Sequence, residues 1–257
     1  MGGSVSVEER EKENHAKDIL TALNAQRQEE AYCDFVIKVG EEEFKAHQSI
    51  LSASSRFFEA MLSSDMKVKE DGFVEIYCLD AKAFKHCIDF IYTGKVVFNL
   101  NETNDPKQMI DASEKLELTG LTDVYFKYWK DKLTVQQSLL YKELAQKYSR
   151  KEDEEYLENF IIKNFSEIMQ LEDFKNIDKQ QMIDYIRKLS DEKLKWEATT
   201  KWIDGDIENR KKILVELLDL INLKKLPKGF IVDKILQEPM IQESHECKDK
   251  LIMSLSR

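Results

Sequence analysis

Apolar side chains at Ala16, Ile19, Leu20 and Leu23, with Arg27 next along the stripe, recur at the three- and four-residue spacing of a one-sided helix. The spacing predicts an amphipathic helix of roughly four turns, and its greasy face needs a cover. Beyond it the period falls to two. Phe35, Ile37 and Val39 alternate with Val36 and Lys38, Gly40-Glu41 interrupts, and a second extended piece ends Glu43-Phe44-Lys45-Ala46, which together read as a β-hairpin. Helical segments are expected over 47–64 and a strand over Phe73-Val-Glu-Ile-Tyr77. Phe84, Cys87, Ile88, Ile91 and Tyr92 then fall at i, i+3, i+4, i+7 and i+8, predicting a helix that stops at Thr93-Gly94. Asp105-Pro106-Lys107-Gln108 has the acid, proline and amide order of a capping box, so another helix starts there, with Met109, Ala112, Ser113 and Leu116 along it. After Gly120 a further stripe runs through Leu121, Val124, Tyr125, Tyr128 and Trp129.

From about Leu133 onward the strand signal is gone. Helical stripes follow in series through Phe160–Phe165, Met182–Leu189, Ala198–Ile203 and Leu214–Leu218–Ile221. The expected organisation is a loose acidic segment over 1–13, a mixed α/β domain over 14–132 and an all-helical domain over 133–257 whose helix pairs stack like a short solenoid.

Composition sharpens this picture. The chain has 257 residues and a net charge of −10, from 39 Lys+Arg against 49 Asp+Glu, so nucleic acid and anionic membranes are poor partners for it. With 42% apolar residues it can bury a core, and with only 8 Gly and 3 Pro it leans toward helix. Cys33, Cys78, Cys87 and Cys247 show no CxxC spacing and read as buried, reduced thiols. No stretch reaches the ~20 apolar residues of a membrane span and the N-terminus lacks a signal-peptide core, so a cytoplasmic or nuclear location is expected.

Catalytic chemistry is not legible. There is no GxGxxG, P-loop, HExxH or GxSxG motif, and His15, His47, His86 and His245 are scattered singly. His47, beside Ile50-Leu51 at a strand-to-helix corner, reads as a hydrogen-bonded structural histidine. The runs Glu41-Glu42-Glu43 and Glu152-Asp153-Glu154-Glu155 lack the alternation and glycine of a calcium loop and read as solvated acidic edges. No cofactor, metal or enzymatic activity is expected.

Two sets of segments carry a family resemblance. Tyr32-Cys-Asp-Phe-Val-Ile-Lys-Val-Gly40, Phe44-Lys-Ala-His-Gln-Ser-Ile-Leu-Ser-Ala-Ser-Ser-Arg-Phe-Phe-Glu-Ala-Met-Leu62 and Phe90-Ile-Tyr-Thr-Gly-Lys-Val96, with Val74-Glu-Ile76 between the last two, together resemble a BTB/POZ domain. Phe160-Ile-Ile-Lys-Asn-Phe165, Leu189-Ser-Asp-Glu-Lys-Leu194, Ala198-Thr-Thr-Lys-Trp-Ile203 and Leu217-Leu-Asp-Leu-Ile-Asn-Leu223 resemble the BACK domain of Kelch-like proteins. The implied fold is an α/β BTB/POZ domain, a small mixed sheet with flanking helices, followed by an all-α BACK domain of stacked helix pairs. No Kelch repeats are read before Arg257, so the expectation is either a piece of a longer chain or a two-domain protein.

The resemblance also implies function. It suggests a homodimer in which Ala16, Ile19, Leu20 and Leu23 pack across the partner and Asp34 lies near the contact. Relatives often oppose that acid with a basic residue where this chain has Gln48, so Asp34 should rely on neutral donors here. The resemblance further implies an adaptor that binds the N-terminal region of cullin-3 and presents a substrate protein, of unknown identity, for ubiquitin transfer. Its cullin-binding residues would be Leu62, Met66, Val68 and Tyr92. The motif expects glutamate where Val68 stands, which motivates the alternative of a cullin-independent dimerisation scaffold.

Overall fold

The computed structural model describes residues 7–64, 71–97 and 105–255, with 7–10 and Ser64 described as backbone only. The chain divides between Lys132 and Leu133 into two compact units.

The first unit opens with helix α1 (Val7–Gln28), which begins well before Ala16 and so makes helix of residues 7–13, expected to be loose. Periodicity gives no sign of this, because those residues carry no apolar stripe, yet the glutamates, lysine and arginine among them are strong helix formers. Strands β1 (Phe35–Val39) and β2 (Glu42–Ala46) form the expected hairpin in the register Ile37↔Phe44. Their loop is only Gly40-Glu41, and Gly40 takes the positive φ of 60° that a tight primed turn asks of its first position. Strand β3 (Phe73–Glu75) is shorter than expected and adds parallel to β1, giving the order β2-β1-β3. Phe35, Ile37 and Val39 of the central strand are buried, while Lys38 pairs across the hairpin with Glu43 at 2.9 Å.

Around this sheet lie α2 (Gln48–Ser54), α3 (Arg56–Ser64), α4 (Ala81–Thr93), α5 (Pro106–Lys115) and α6 (Thr119–Asp131). Ser55 separates α2 from α3 because its side chain does two tasks: Oγ donates to the Leu116 carbonyl at 2.6 Å and accepts from the Phe58 N–H. Helix α4 is capped by Asp80, whose carboxylate accepts from the Ala83 N–H, and ends at Gly94 with φ 63°, the left-handed conformation glycine adopts without strain. Its predicted apolar face is the buried one, from Ala83 and Phe84 to Ile91 and Tyr92. Asp105 caps α5 through the Lys107 N–H.

The second unit is helical: α7 (Val135–Lys147), α8 (Lys151–Lys163), α9 (Phe165–Ile168), α10 (Lys179–Lys188), α11 (Glu192–Asp204), α12 (Ile207–Arg210), α13 (Leu214–Leu218), α14 (Lys228–Phe230), α15 (Pro239–Gln242) and α16 (His245–Leu255). Single turns of tighter or wider helix at Glu172–Asn176, Lys211–Ile213, Leu223–Lys225 and Ile231–Ile235 join them. Trp202 sits in the core; its indole N–H donates to the Ile177 carbonyl at 2.7 Å and the Arg210 guanidinium lies over its ring. Arg210 also donates to the carbonyls of Trp202 and Lys175, tying three segments to one side chain. Asp191 caps α11 by accepting from Lys193 and Leu194.

Two expectations need correction. Asp153, read as part of a solvated acidic edge, is buried and takes a 2.6 Å bond from Arg150, which neutralises it. Among the cysteines, Cys87 and Cys247 are buried, but Cys33 is half-buried and Cys78 is exposed, because the chain leaves β3 on a left-handed residue at Cys78 and turns outward. All four are free thiols.

Candidate protein-binding faces

Helix α1 is anchored at its C-terminal end. Arg27 donates to Asp89 on α4 at 2.6 Å and lies over the Tyr92 ring, 5.0 Å from its centroid, so one cation fixes the helix to the domain. Toward the N-terminus the stripe is left uncovered: Ile19 is 47% exposed, Leu20 38%, Ala16 is exposed and Leu23 half-buried. The structure thus brings the four α1 residues together on one helix, and among the described residues nothing buries Ala16, Ile19 or Leu20, while Leu23 is partly covered.

Asp34 sits where β1 begins, exposed at the surface. Its Oδ1 accepts the Gln48 N–H at 2.8 Å, and the Gln48 side-chain amide donates to the Asp34 carbonyl at 3.2 Å. Both donors are neutral, as Gln48 implied. The connector from α1 is held by left-handed residues at Glu30 and Tyr32, and it presents Tyr32 to solvent at 83% exposure. Sequence reasoning did not single out Tyr32; two left-handed non-glycine residues leave no mark in apolar periodicity.

His47 is the structural histidine the sequence suggested. Its backbone N–H donates to the Tyr92 hydroxyl at 2.8 Å, and its Nδ1 shares a hydrogen bond with the same hydroxyl at 2.9 Å. Nε2 faces the Ala31 carbonyl at 3.4 Å. Tyr92 is fully buried in this arrangement, which corrects its assignment to a binding surface: the phenol that was to contact a partner holds the β2–α2 corner instead. Leu62, on the last turn of α3, is also buried, at 8% exposure. Met66 and Val68 lie outside the described residues.

Burial has a titration consequence. It pushes the Tyr92 phenol up to about 12, against the opposing pull of the His47 N–H, and raises Tyr125 and Tyr185 as well. Tyrosine in an unfolded chain ionises near 10, so the folded state holds these protons longer. Their contribution is fully present below about pH 10 and falls by about 1.4 kcal/mol per pH unit per tyrosine as pH rises toward the folded values. Titration at 295 nm should therefore show these phenols ionising only as helical circular dichroism is lost. Smooth ionisation of all 9 tyrosines near pH 10 with the dichroism unchanged would contradict it.

Among the described residues no group of three or more histidine, cysteine or acidic side chains could hold a metal ion, and no helix is long and apolar enough to cross a membrane. Two family models match the sequence: the BTB/POZ domain over residues 23–133 and BACK, described as BTB And C-terminal Kelch, over residues 138–236. The chain is a BTB-BACK protein. Its curated relatives include human Kelch-like protein 24, 29% identical over 91% of this chain, and zebrafish Kelch-like protein 24a, 26% identical over the same share. The BTB-BACK chain spans 39% of the length of these relatives. Similar solved structures include the BTB domain of zebrafish PATZ1, with 27% identity and a TM-score of 0.41 over 51% of this chain and 99% of that one. The BTB domain of human Gigaxonin aligns at 21% identity and a TM-score of 0.39 over 50% of this chain and 98% of that one. The small mixed sheet with flanking helices is the BTB fold, and the helical unit that follows is the BACK fold.

Proposed function

We propose that this BTB-BACK protein is a homodimeric, non-catalytic adaptor that binds the N-terminal helices of cullin-3 and holds a substrate protein for ubiquitin transfer. The observation that carries the reading is the uncovered stripe on α1. Full burial of a large apolar side chain stabilises by about 1.5–3 kcal/mol, and Ile19 and Leu20 have close to half of that left to gain. A second copy presenting the same stripe is the self-complementary cover, since a two-fold interface sets like residues against like. Asp34 and Gln48 would flank that contact, their hydrogen bonds already closed within the protomer.

Cullin capture would use the residues that follow α3 in the sequence, with Met66 as the apolar anchor. Val68 supplies no acceptor where a glutamate is expected, and that favours a second reading, a scaffold that dimerises without the cullin. The free thiols suit the reducing cytoplasm or nucleus where such a ligase works. Light scattering tests the shared premise. At micromolar concentration the chain should weigh twice its 30.2 kDa, and a stable species of 30.2 kDa would contradict both readings.

A further inference from the structure

The outer face of α4 carries chemistry that neither dimerisation nor cullin binding uses. Opposite its buried stripe, Lys82, Lys85, His86 and Asp89 follow at i, i+3, i+4 and i+7, so they line one side of the helix. Gly94 then turns the chain back in its left-handed conformation and brings Lys95 and the exposed Val97 to the same side. Together with Asn24 and Gln28 of α1 and Glu42 of β2, these residues enclose a cleft of about 560 Å³, within the size range of ligand clefts.

The charge in this cleft is opposite to that of the chain. Asp89 is already matched by Arg27, and Glu42 is the remaining carboxylate against Lys82, Lys85 and Lys95. Among the described residues no acid pairs with any of these three lysines. We propose that this cleft is a docking site for a short acidic peptide segment, its carboxylates on the lysines and an apolar side chain against Val97.

Three arguments commit the site to that ligand. Lysines on separate turns are point charges that suit separate carboxylates, whereas the guanidinium fork that would grip a phosphate, Arg27, is engaged with Asp89. Gln28 adds a neutral amide that can bond a peptide backbone, and Asn24, whose Oδ1 accepts from Arg27, adds its amide N–H donors. Finally, the Debye length is about 8 Å at physiological salt, so a short peptide feels the local lysines. A long polyanion would also meet the acidic surface of a chain with net charge −10. The proposal stands whether or not the chain dimerises or meets a cullin.

The test is fluorescence anisotropy of the full chain with a labelled peptide of glutamates around a central leucine, beside its glutamine counterpart. Saturable binding of the acidic peptide is expected, weakened at least about tenfold in Lys85→Glu/Lys95→Glu and weakened less in Lys85→Gln/Lys95→Gln. Lys224→Glu, an exposed change in the helical unit, should leave it unaltered. Binding that ignores the cleft variants, equal binding of the glutamine peptide, or tighter cleft-dependent binding of single-stranded RNA or anionic vesicles would each overturn the proposal. Exposed side chains carry every substitution, and unchanged circular dichroism of the variants excludes misfolding as the cause of a loss.

Discussion

Ile19→Asp/Leu20→Asp should convert the proposed dimer into a monomer while leaving the fold of each protomer intact. Both side chains are exposed in the single chain, so aspartate there costs the protomer only a little helix propensity. In the dimer each substitution counts twice. The four lost apolar contacts, each close to half-exposed in the protomer, remove about 4 kcal/mol together, which is roughly a thousandfold in dissociation constant. Carboxylates stripped of water without partners weaken the pair further. Sedimentation velocity over a dilution series reads the effect directly. An unchanged dissociation constant would show that some other surface joins the copies, and loss of helical dichroism would show that α1 contributes to the fold rather than to association.

The second large effect is expected in the BACK domain. Trp202→Ala should lower its stability by about 3–5 kcal/mol, the usual range for emptying a core of a large aromatic. That is a large part of the 5–15 kcal/mol that holds a domain together. The change removes more than volume. The Ile177 carbonyl loses its donor, and Arg210 loses the ring it covers while its bonds to Trp202 and Lys175 carbonyls lose their support. Trp202→Phe keeps most of the volume and loses only the indole N–H, so about 1–2 kcal/mol is expected for it. Urea titration followed by circular dichroism separates the two variants by their midpoints. Equal midpoints for alanine and phenylalanine would show that the hydrogen bond, not the packing, dominates.

How far the sequence reached depended on what each element does with its side chains. The central hairpin was legible because one face of β1 is buried and the other is not, which writes a period of two into Phe35, Ile37 and Val39. Helix α4 was legible for the same reason at the helical period, down to its stop at Gly94. His47 could be placed as structural from its apolar neighbours, but not its partner, since Tyr92 lies 45 positions away and only the fold brings them together. The same distance explains why Tyr92 looked available to a partner: an aromatic on the right stripe has no mark that says which layer it faces. The start of α1 was missed because a charged helix with no cover carries no apolar period to read.

The helical unit hid its polar core in the same way. Glu192 and Lys195, which the sequence analysis did not single out, are both buried, with Glu192 accepting the Asn222 N–H and Lys195 facing the Leu220 carbonyl. Buried charge of this kind is tolerated because each ion finds a partner and a backbone bond, which no single-sequence pattern encodes. The lysine cleft escaped attention because net charge averages over the chain, while Lys82 and Lys95 line one cleft only because Gly94 turns the chain back.

The adaptor reading rests on capture of the ligase scaffold, and titration calorimetry of this chain with the N-terminal helices of cullin-3 measures that step. The account predicts heat of binding for the native sequence and about tenfold to a hundredfold tighter binding for Val68→Glu, which restores a charge-assisted acceptor at the contact. No heat from either protein, at concentrations where the chain is a dimer, would contradict it and leave the cullin-independent scaffold as the better description.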